Sequence, residues 1–182
     1  MANSKSAYSV AGKKQRNDTH IIVVWVDNEA GVLARVVGLF SGRGYNIESL
    51  AVAEVDQKQN ISRITIVTTG TPQVIDQIKL QLKKLVPVHK VADFKREDKN
   101  VIFKEMALFK FVANNKKLIS ALNACRNYNP VVLDQTKKSQ VIQITALRRE
   151  IDKMSKNLTK FGLVSVSRTG AVAMTRGSDI FK

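Results

Sequence analysis

Two hydrophobic periods alternate along this chain. Residues 20–26 (HIIVVWV) form an unbroken apolar, β-branched run, the pattern of a strand buried on both faces or nearly so. Asp27-Asn28-Glu29-Ala30-Gly31 supplies turn chemistry, and Leu33, Val36, Val37 and Phe40 then recur at helical spacing. That helix is predicted to end at Ser41-Gly42-Arg43-Gly44, where glycine permits a left-handed C-terminal residue. Tyr45 to Val55 alternates as a second strand, 56–60 reads as a polar hairpin loop, and 61–68 (ISRITIVT) reads as a third strand. Thr71 is placed as an N-cap with Pro72 in the first turn of a helix that carries Val74, Ile75, Ile78, Leu82 and Leu85. Val86 to Phe94 alternates again as a fourth strand. The order βαββαβ is the ferredoxin-like split βαβ arrangement.

The second half repeats it. Strand-like 102–112 precedes a helix-like stretch from Asn114 to Cys125, with Leu118, Ile119 and Leu122 on one face. Val131-Val132-Leu133 and 141–144 (VIQI) can form a hairpin. Leu147 to Phe161 is helix-like with Ile151, Met154 and Leu158 on one stripe, and Leu163 to Ser167 closes the pattern as a strand. The predicted class is α+β, two ferredoxin-like βαββαβ modules at 20–95 and 101–182. Between them lies a charged linker, 96–100, with no apolar residue in Arg96-Glu97-Asp98-Lys99-Asn100. Residues 1–19 are polar and without period. They are expected to form a flexible lead-in and lack the apolar core of a secretory signal.

Composition changes this picture mainly through charge. The 182 residues hold 30 Lys+Arg against 15 Asp+Glu, a formal net charge of +15, which invites a nucleic-acid reading. The excess is uneven: residues 20–95 carry nine Lys/Arg against seven Asp/Glu, whereas 96–182 carry seventeen against seven. The half with the clearest ferredoxin-like pattern is thus nearly neutral. Its third strand has no aromatic on which a base could stack, and Trp25 in its first strand is flanked by apolar residues and reads as core. The basic second half reads as solvated surface, in part a docking face for a more acidic partner. No apolar run approaches the roughly 18 residues of a membrane span.

Candidate chemistry is sparse. Ser41-Gly42-Arg43-Gly44-Tyr45-Asn46 resembles part of a dinucleotide loop, but Ile47 stands at the third glycine position and the loop follows a helix instead of a strand. One cysteine, Cys125, excludes an internal disulfide framework and a multi-cysteine zinc site. On a predicted helix with no nearby histidine, it reads as a small buried hydrophobe. His20 and His89 show no evident acid–base partner, and Asp27 with Glu29 reads as acidic enrichment at a helix N-terminus. No catalytic constellation emerges, and no metal site.

The turn 27–31 before the first helix carries two readings. A helix N-terminus offers unpaired backbone N–H groups and a partial positive charge to a carboxylate, and Gly31 permits close approach. Alternatively, Asn28 simply caps the helix, which is the simpler explanation of the pattern alone.

Residues 20–54, followed by 61–91, resemble the small regulatory subunit of acetolactate synthase (acetohydroxyacid synthase). Asn28-x-x-Gly31-Val32-Leu33 and Gly42-x-Gly44-Tyr45-Asn46-Ile47-Glu48-Ser49-Leu50 are the most specific parts. Lys104-Glu105-Met106-Ala107-Leu108 and the run from Arg168 to Gly177 (RTGAVAMTRG) resemble that family's C-terminal segments. The resemblance implies that the first half is an ACT domain and that two such domains pair as a homodimer. A feedback amino acid, valine foremost among the branched-chain ones, would bind where they meet. It places Val26, Asn28, Gly31, Val32 and Leu33 of one subunit and Asn46 and Ile47 of the other around that effector. It implies no cofactor on this chain; thiamine diphosphate, Mg and FAD are expected on a catalytic large subunit, in the cytoplasm, which this chain would activate and make feedback-sensitive. Two other readings stand beside it: an amino-acid-responsive nucleic-acid-binding regulator using the basic half, and a free-standing enzyme.

Overall fold

The apolar run of the first strand requires cover on two sides, and the architecture supplies it. The computed structural model describes residues 17–96 and 98–178; most of the expected lead-in, along with Glu97 of the linker, lies outside the described residues. The first unit comprises β1 (Asp18–Asp27), α1 (Val32–Ser41), β2 (Ser49–Asp56), β3 (Ile61–Gly70), α2 (Pro72–Lys83) and β4 (Val88–Lys95). Its four-stranded sheet runs β2-β3-β1-β4, with every neighbouring pair antiparallel. Asp18 and Thr19, expected to belong to the lead-in, start β1 by pairing with Gly70 and Thr69.

Because strand side chains alternate, β1 sends Ile22, Val24 and Val26 to one face and Ile21 and Val23 to the other. The first set packs with Ile64 and Ile66 of β3 against Val36, Leu39 and Phe40 of α1 and Ile75, Ile78 and Leu82 of α2. The second packs with Val67 against Val101, Ala171 and Ala173 of the second half. Both faces of β1 are therefore buried, as its β-branched run requires.

The second unit holds β5 (Val101–Val112), α3 (Asn115–Ala124), β6 (Val131–Gln135), β7 (Ser139–Ala146), α4 (Arg148–Leu158), β8 (Leu163–Arg168) and β9 (Val172–Thr175). Its order β6-β7-β5-β8 repeats the first sheet, and both units are ferredoxin-like. β9 falls outside the sequence pattern. It continues the edge of β8 along β5, pairing Val172 with Lys104 and Thr175 with Val101 after β8 has paired Arg168 with Ala107. This extension of β5 carries Val101, Ala171 and Ala173 over the back of the first sheet.

Local chemistry explains most element ends. Thr71 caps α2, its Oγ1 accepting from the Val74 N–H at 3.4 Å, with Pro72 in the first turn. Asn114 caps α3 in the same way through the Lys117 N–H at 3.0 Å. The second strand starts later than its pattern predicts, at Ser49, and Tyr45 and Asn46 before it are held by other bonds. The Tyr45 N–H donates to the Phe40 carbonyl at 3.0 Å, its ring meets Phe40 edge-on at 6.2 Å, and the Asn46 carbonyl accepts from Thr68 Oγ1 at 2.7 Å. The last helix gives way to a single 3-10 turn, 159–161, before Gly162, where φ is +88° and a Cβ would stand 2.7 Å from the Val112 carbonyl oxygen.

The second unit also holds a buried charge. Glu105 of β5 is 2 % exposed and receives both Nε (2.6 Å) and Nη2 (2.8 Å) of Arg168 from β8, while Nη1 of the same guanidinium reaches Asp152 of α4 at 2.6 Å. The two carboxylates raise the Arg168 pKa, Glu105 above all, so the group stays charged. Removing one partner strands the other charge in the interior. Arg168→Ala is expected to cost about 3–5 kcal/mol of stability in urea denaturation, and Arg168→Met combined with Glu105→Leu to recover most of that loss. A loss below about 1 kcal/mol for Arg168→Ala would mean that the pair behaves as an exposed one.

Candidate functional site

The turn between β1 and α1 is open in a way the capping explanation does not allow. Gly31 is the N-cap of α1, with φ +85° and ψ −10°, and no side chain caps the helix. The Val32 N–H reaches the Glu29 carbonyl at a long 3.4 Å and the Arg35 N–H bonds to the Gly31 carbonyl, as in any helix. Backbone N–H groups of the first turn are thus left without side-chain acceptors, at the positive end of the helix dipole.

Asn28 is engaged elsewhere. Its carboxamide oxygen accepts from Ser62 Oγ at 3.0 Å, its N–H donates to the Asn60 carbonyl at 2.7 Å, and its carbonyl accepts from Asn60 Nδ2 at 3.3 Å. These bonds tie the turn to the β2–β3 hairpin. They orient the carboxamide through its oxygen, which leaves the NH2 group as the part suited to an anionic partner.

The acids beside it also differ from expectation. No acidic residue lies in the first turn of α1. Asp27 Oδ1 instead pairs with His89 Nε2 at 2.6 Å, and Asp27 N–H bonds to the Pro87 carbonyl. His20 has a partner as well, Asp93, at 2.7 Å from Nδ1, and Lys79 reaches the other oxygen of that carboxylate at 3.2 Å. The sequence reading found no partner for either histidine because both pairs join β1 to β4, 62 and 73 residues apart. Each is a strand-to-strand clasp between β1 and β4. Among the described residues no group of three or more His, Cys, Asp or Glu could hold a metal ion, and no helix is long and apolar enough to cross a membrane. Cys125 is fully buried in the second core, and burial pushes its thiol up to about 11, so it stays protonated and inert over ordinary pH.

The seven residues expected around an effector divide into two groups. Val26 and Val32 are core residues, 2 % and 4 % exposed, so a ligand meets them only as the floor of the turn. Leu33 is 40 % exposed, and Asn28 and Gly31 are exposed beside it. Asn46 is exposed, and Ile47 is half-buried at the rim of the same core.

In one chain these groups lie at opposite ends of the sheet. Asn28 follows the end of β1, whereas Asn46 is fastened to Thr68, which pairs with His20 at the start of β1. Seven residues of strand at about 3.3 Å each put them roughly 20 Å apart. One chain does not bring the two groups together.

The edge strand β2 offers a route to a second copy. Among the described residues it pairs only with β3, and Val52 and Val55 are 43 % and 46 % exposed. If two copies met antiparallel along β2, the Asn46–Ile47 segment preceding one β2 would approach the far end of the other, where Asp56 pairs with Ile61 beside Asp27.

Comparison with known proteins covers both units. The family described as "AHAS small subunit-like ACT domain" matches residues 22–90, and that described as "Small subunit of acetolactate synthase" matches residues 104–177. The acetolactate synthase small subunit of Mycobacterium bovis is 35% identical over 159 residues, 87% of this chain and 93% of that protein. The one from Aquifex aeolicus is 38% identical over 162 residues, 88% of this chain and 83% of that protein. The crystal structure of the small subunit from Thermotoga maritima superposes with a TM-score of 0.77 at 29% identity, covering 88% of this chain and 99% of that one.

Two glycines of this region are expected to respond oppositely to the same substitution. A Cβ on Gly31 or on Gly38 would meet nothing within 4 Å, so only backbone conformation separates them. Gly31→Ala, at φ +85°, is expected to destabilise by about 1–2 kcal/mol. Gly38→Ala, inside α1, is expected to stabilise by about 0.5–1 kcal/mol. Urea midpoints of the two variants against the parent check the signs.

Proposed function

This chain belongs to the acetolactate synthase small-subunit family, with a regulatory role in branched-chain amino acid biosynthesis, and on that premise we propose that it is the feedback-sensing partner of a catalytic large subunit. In this reading it performs no chemistry itself. It binds a branched-chain amino acid, valine foremost, between two copies of its first unit, and its occupancy alters the large subunit, where thiamine diphosphate, Mg and FAD would reside.

The observation that carries this reading is the uncapped first turn of α1 behind Gly31. Free N–H groups there suit the effector's carboxylate, as does the NH2 group of Asn28, whose oxygen is already held by Ser62. Asn46 of the second copy then takes the ammonium. Leu33 and the second copy's Ile47 wall the aliphatic side chain over the Val26 and Val32 floor. A single chain holds only half of these groups at each end of its sheet, so the homodimer is a requirement of the site. The ligand must also bind one arrangement of the pair better than the other, since equal affinity for both would shift nothing.

Calorimetric titration of the full chain with valine is expected to give saturable binding, with isoleucine and leucine within about 1–3 kcal/mol of it because they differ by a methylene. Gly31→Asp, which has room for its side chain but sets a carboxylate where the effector's own would lie, should abolish the heat. No binding by the native chain, or undiminished binding by the variant, sinks the site. Independently, Val52→Lys places like charges on both sides of a β2–β2 junction and should convert a dimer to a monomer in sedimentation velocity. Mixed with the catalytic subunit of the same organism, the native chain should raise acetolactate formation and make it fall on addition of valine.

A further inference from the structure

A cleft far from the β1–α1 turn lies between the two units. Its volume is about 450 Å³, within the range of small-molecule sites. Ile21 and Val67 from the back of the first sheet, with Val101, Phe103 and Ala171 from the second unit, form an apolar wall.

The remaining lining is strongly of one sign. Arg96, Lys104, Arg148, Arg149 and Arg176 all border the cleft, against a single acid, Asp98. Arg148 is occupied: its Nη2 donates to the Glu48 carbonyl at 3.3 Å and lies 3.8 Å from the Glu48 carboxylate. The side chains of Arg96, Lys104, Arg149 and Arg176 make no hydrogen bond or ion pair among the described residues. The start of α4 also borders the cleft at Leu147, Arg148 and Arg149, with the Leu147 N–H already taken by the Glu150 carboxylate at 3.0 Å. Unneutralised like charges around one concavity repel one another, and an anion relieves that repulsion.

We propose that this cleft is a binding site for an organic anion: a molecule with a phosphate-like or carboxylate group held by Arg149, Arg176 and their neighbours, and an apolar body lying on the Ile21–Val67–Phe103 wall. The volume exceeds the needs of a bare inorganic ion, and the apolar wall offers such an ion nothing. The site is separate from the β1–α1 turn, which lies nine residues along β1 from Thr19, about 30 Å at ~3.3 Å per residue. It adjoins the Asn46–Ile47 segment instead, through Arg148 and Glu48. Nothing in it depends on where, or whether, an amino-acid effector binds.

The test uses 1-naphthyl phosphate, which combines the two features, titrated into the full chain at about 0.15 M ionic strength so that diffuse attraction is screened. Inorganic phosphate and 1-naphthol serve as half-probes. One naphthyl phosphate should bind per chain, with each half-probe at least about tenfold weaker. Arg149→Glu combined with Arg176→Glu should weaken binding by about tenfold or more, since each charge-assisted hydrogen bond contributes about that factor. Lys116→Glu combined with Lys117→Glu changes the net charge equally on the exposed surface of α3 and should leave affinity unchanged. The proposal is overturned by no binding at millimolar probe, by an affinity indifferent to the Arg149/Arg176 pair, by an equal loss in the Lys116/Lys117 variant, or by inorganic phosphate binding as well as the naphthyl ester.

Discussion

The burial of β1 on both faces is the constraint from which the rest of this structure follows. A strand reading Ile-Ile-Val-Val-Trp-Val can place alternate residues under two helices, but its other face must also leave water. In this chain the second unit does that work. β5 starts at Val101, six residues before Ala107, the first residue it gives to its own core, β9 pairs with that early segment, and Val101, Ala171 and Ala173 close over Ile21, Val23 and Val67. The linker between the units is short and folded: the Arg96 N–H bonds to the Thr19 carbonyl and the Val101 N–H to the Asp98 carbonyl. The two ferredoxin-like units therefore share a third hydrophobic cluster.

That shared cluster puts the second unit in direct touch with the segment following Asn46 and Ile47. Arg148 donates to the Glu48 carbonyl at 3.3 Å, and the Ala171 N–H donates to Ser49 Oγ at 3.3 Å. Gly170, at φ +80°, lies so close that a Cβ there would stand 2.6 Å from Ser49 Oγ. Any shift of residues 46–49 on effector binding has to be accommodated at these contacts. The arrangement gives the amino-acid reading a physical route from one unit to the other. The cationic cleft opens beside the same contacts.

Much of the candidate site was legible in the residues and some of it was not. Gly31 stood out because a glycine before a helical pattern permits close approach, and the structure gives it the positive φ that favours glycine. Asn28 was harder: its sequence position fits a cap, and only the Ser62 hydroxyl, 34 residues away, turns its oxygen elsewhere. The histidine–aspartate pairs and the Glu105–Arg168 pair were invisible for the same reason. Each joins strands whose register a linear pattern does not specify. The motifs around Glu105 and Arg168 marked these residues as characteristic without saying that they grip each other.

Taken alone, the sequence determined the alternation of strand and helix, the two-unit βαββαβ organisation, the sparse complement of catalytic side chains and the concentration of positive charge in the second half. These are properties of local spacing and composition, and periods of 2 and 3.6 residues carry them without reference to distant contacts. Only the tertiary structure decided that β9 exists, that the back of the first sheet is an interface between units, and that the seven expected effector residues fall at two ends of one sheet. It also gathered five basic residues from the linker, β5, α4 and the segment after β9 around one cleft. Those outcomes depend on which surfaces meet, and what sets them is the burial of apolar faces and the pairing of charges between residues far apart in the chain.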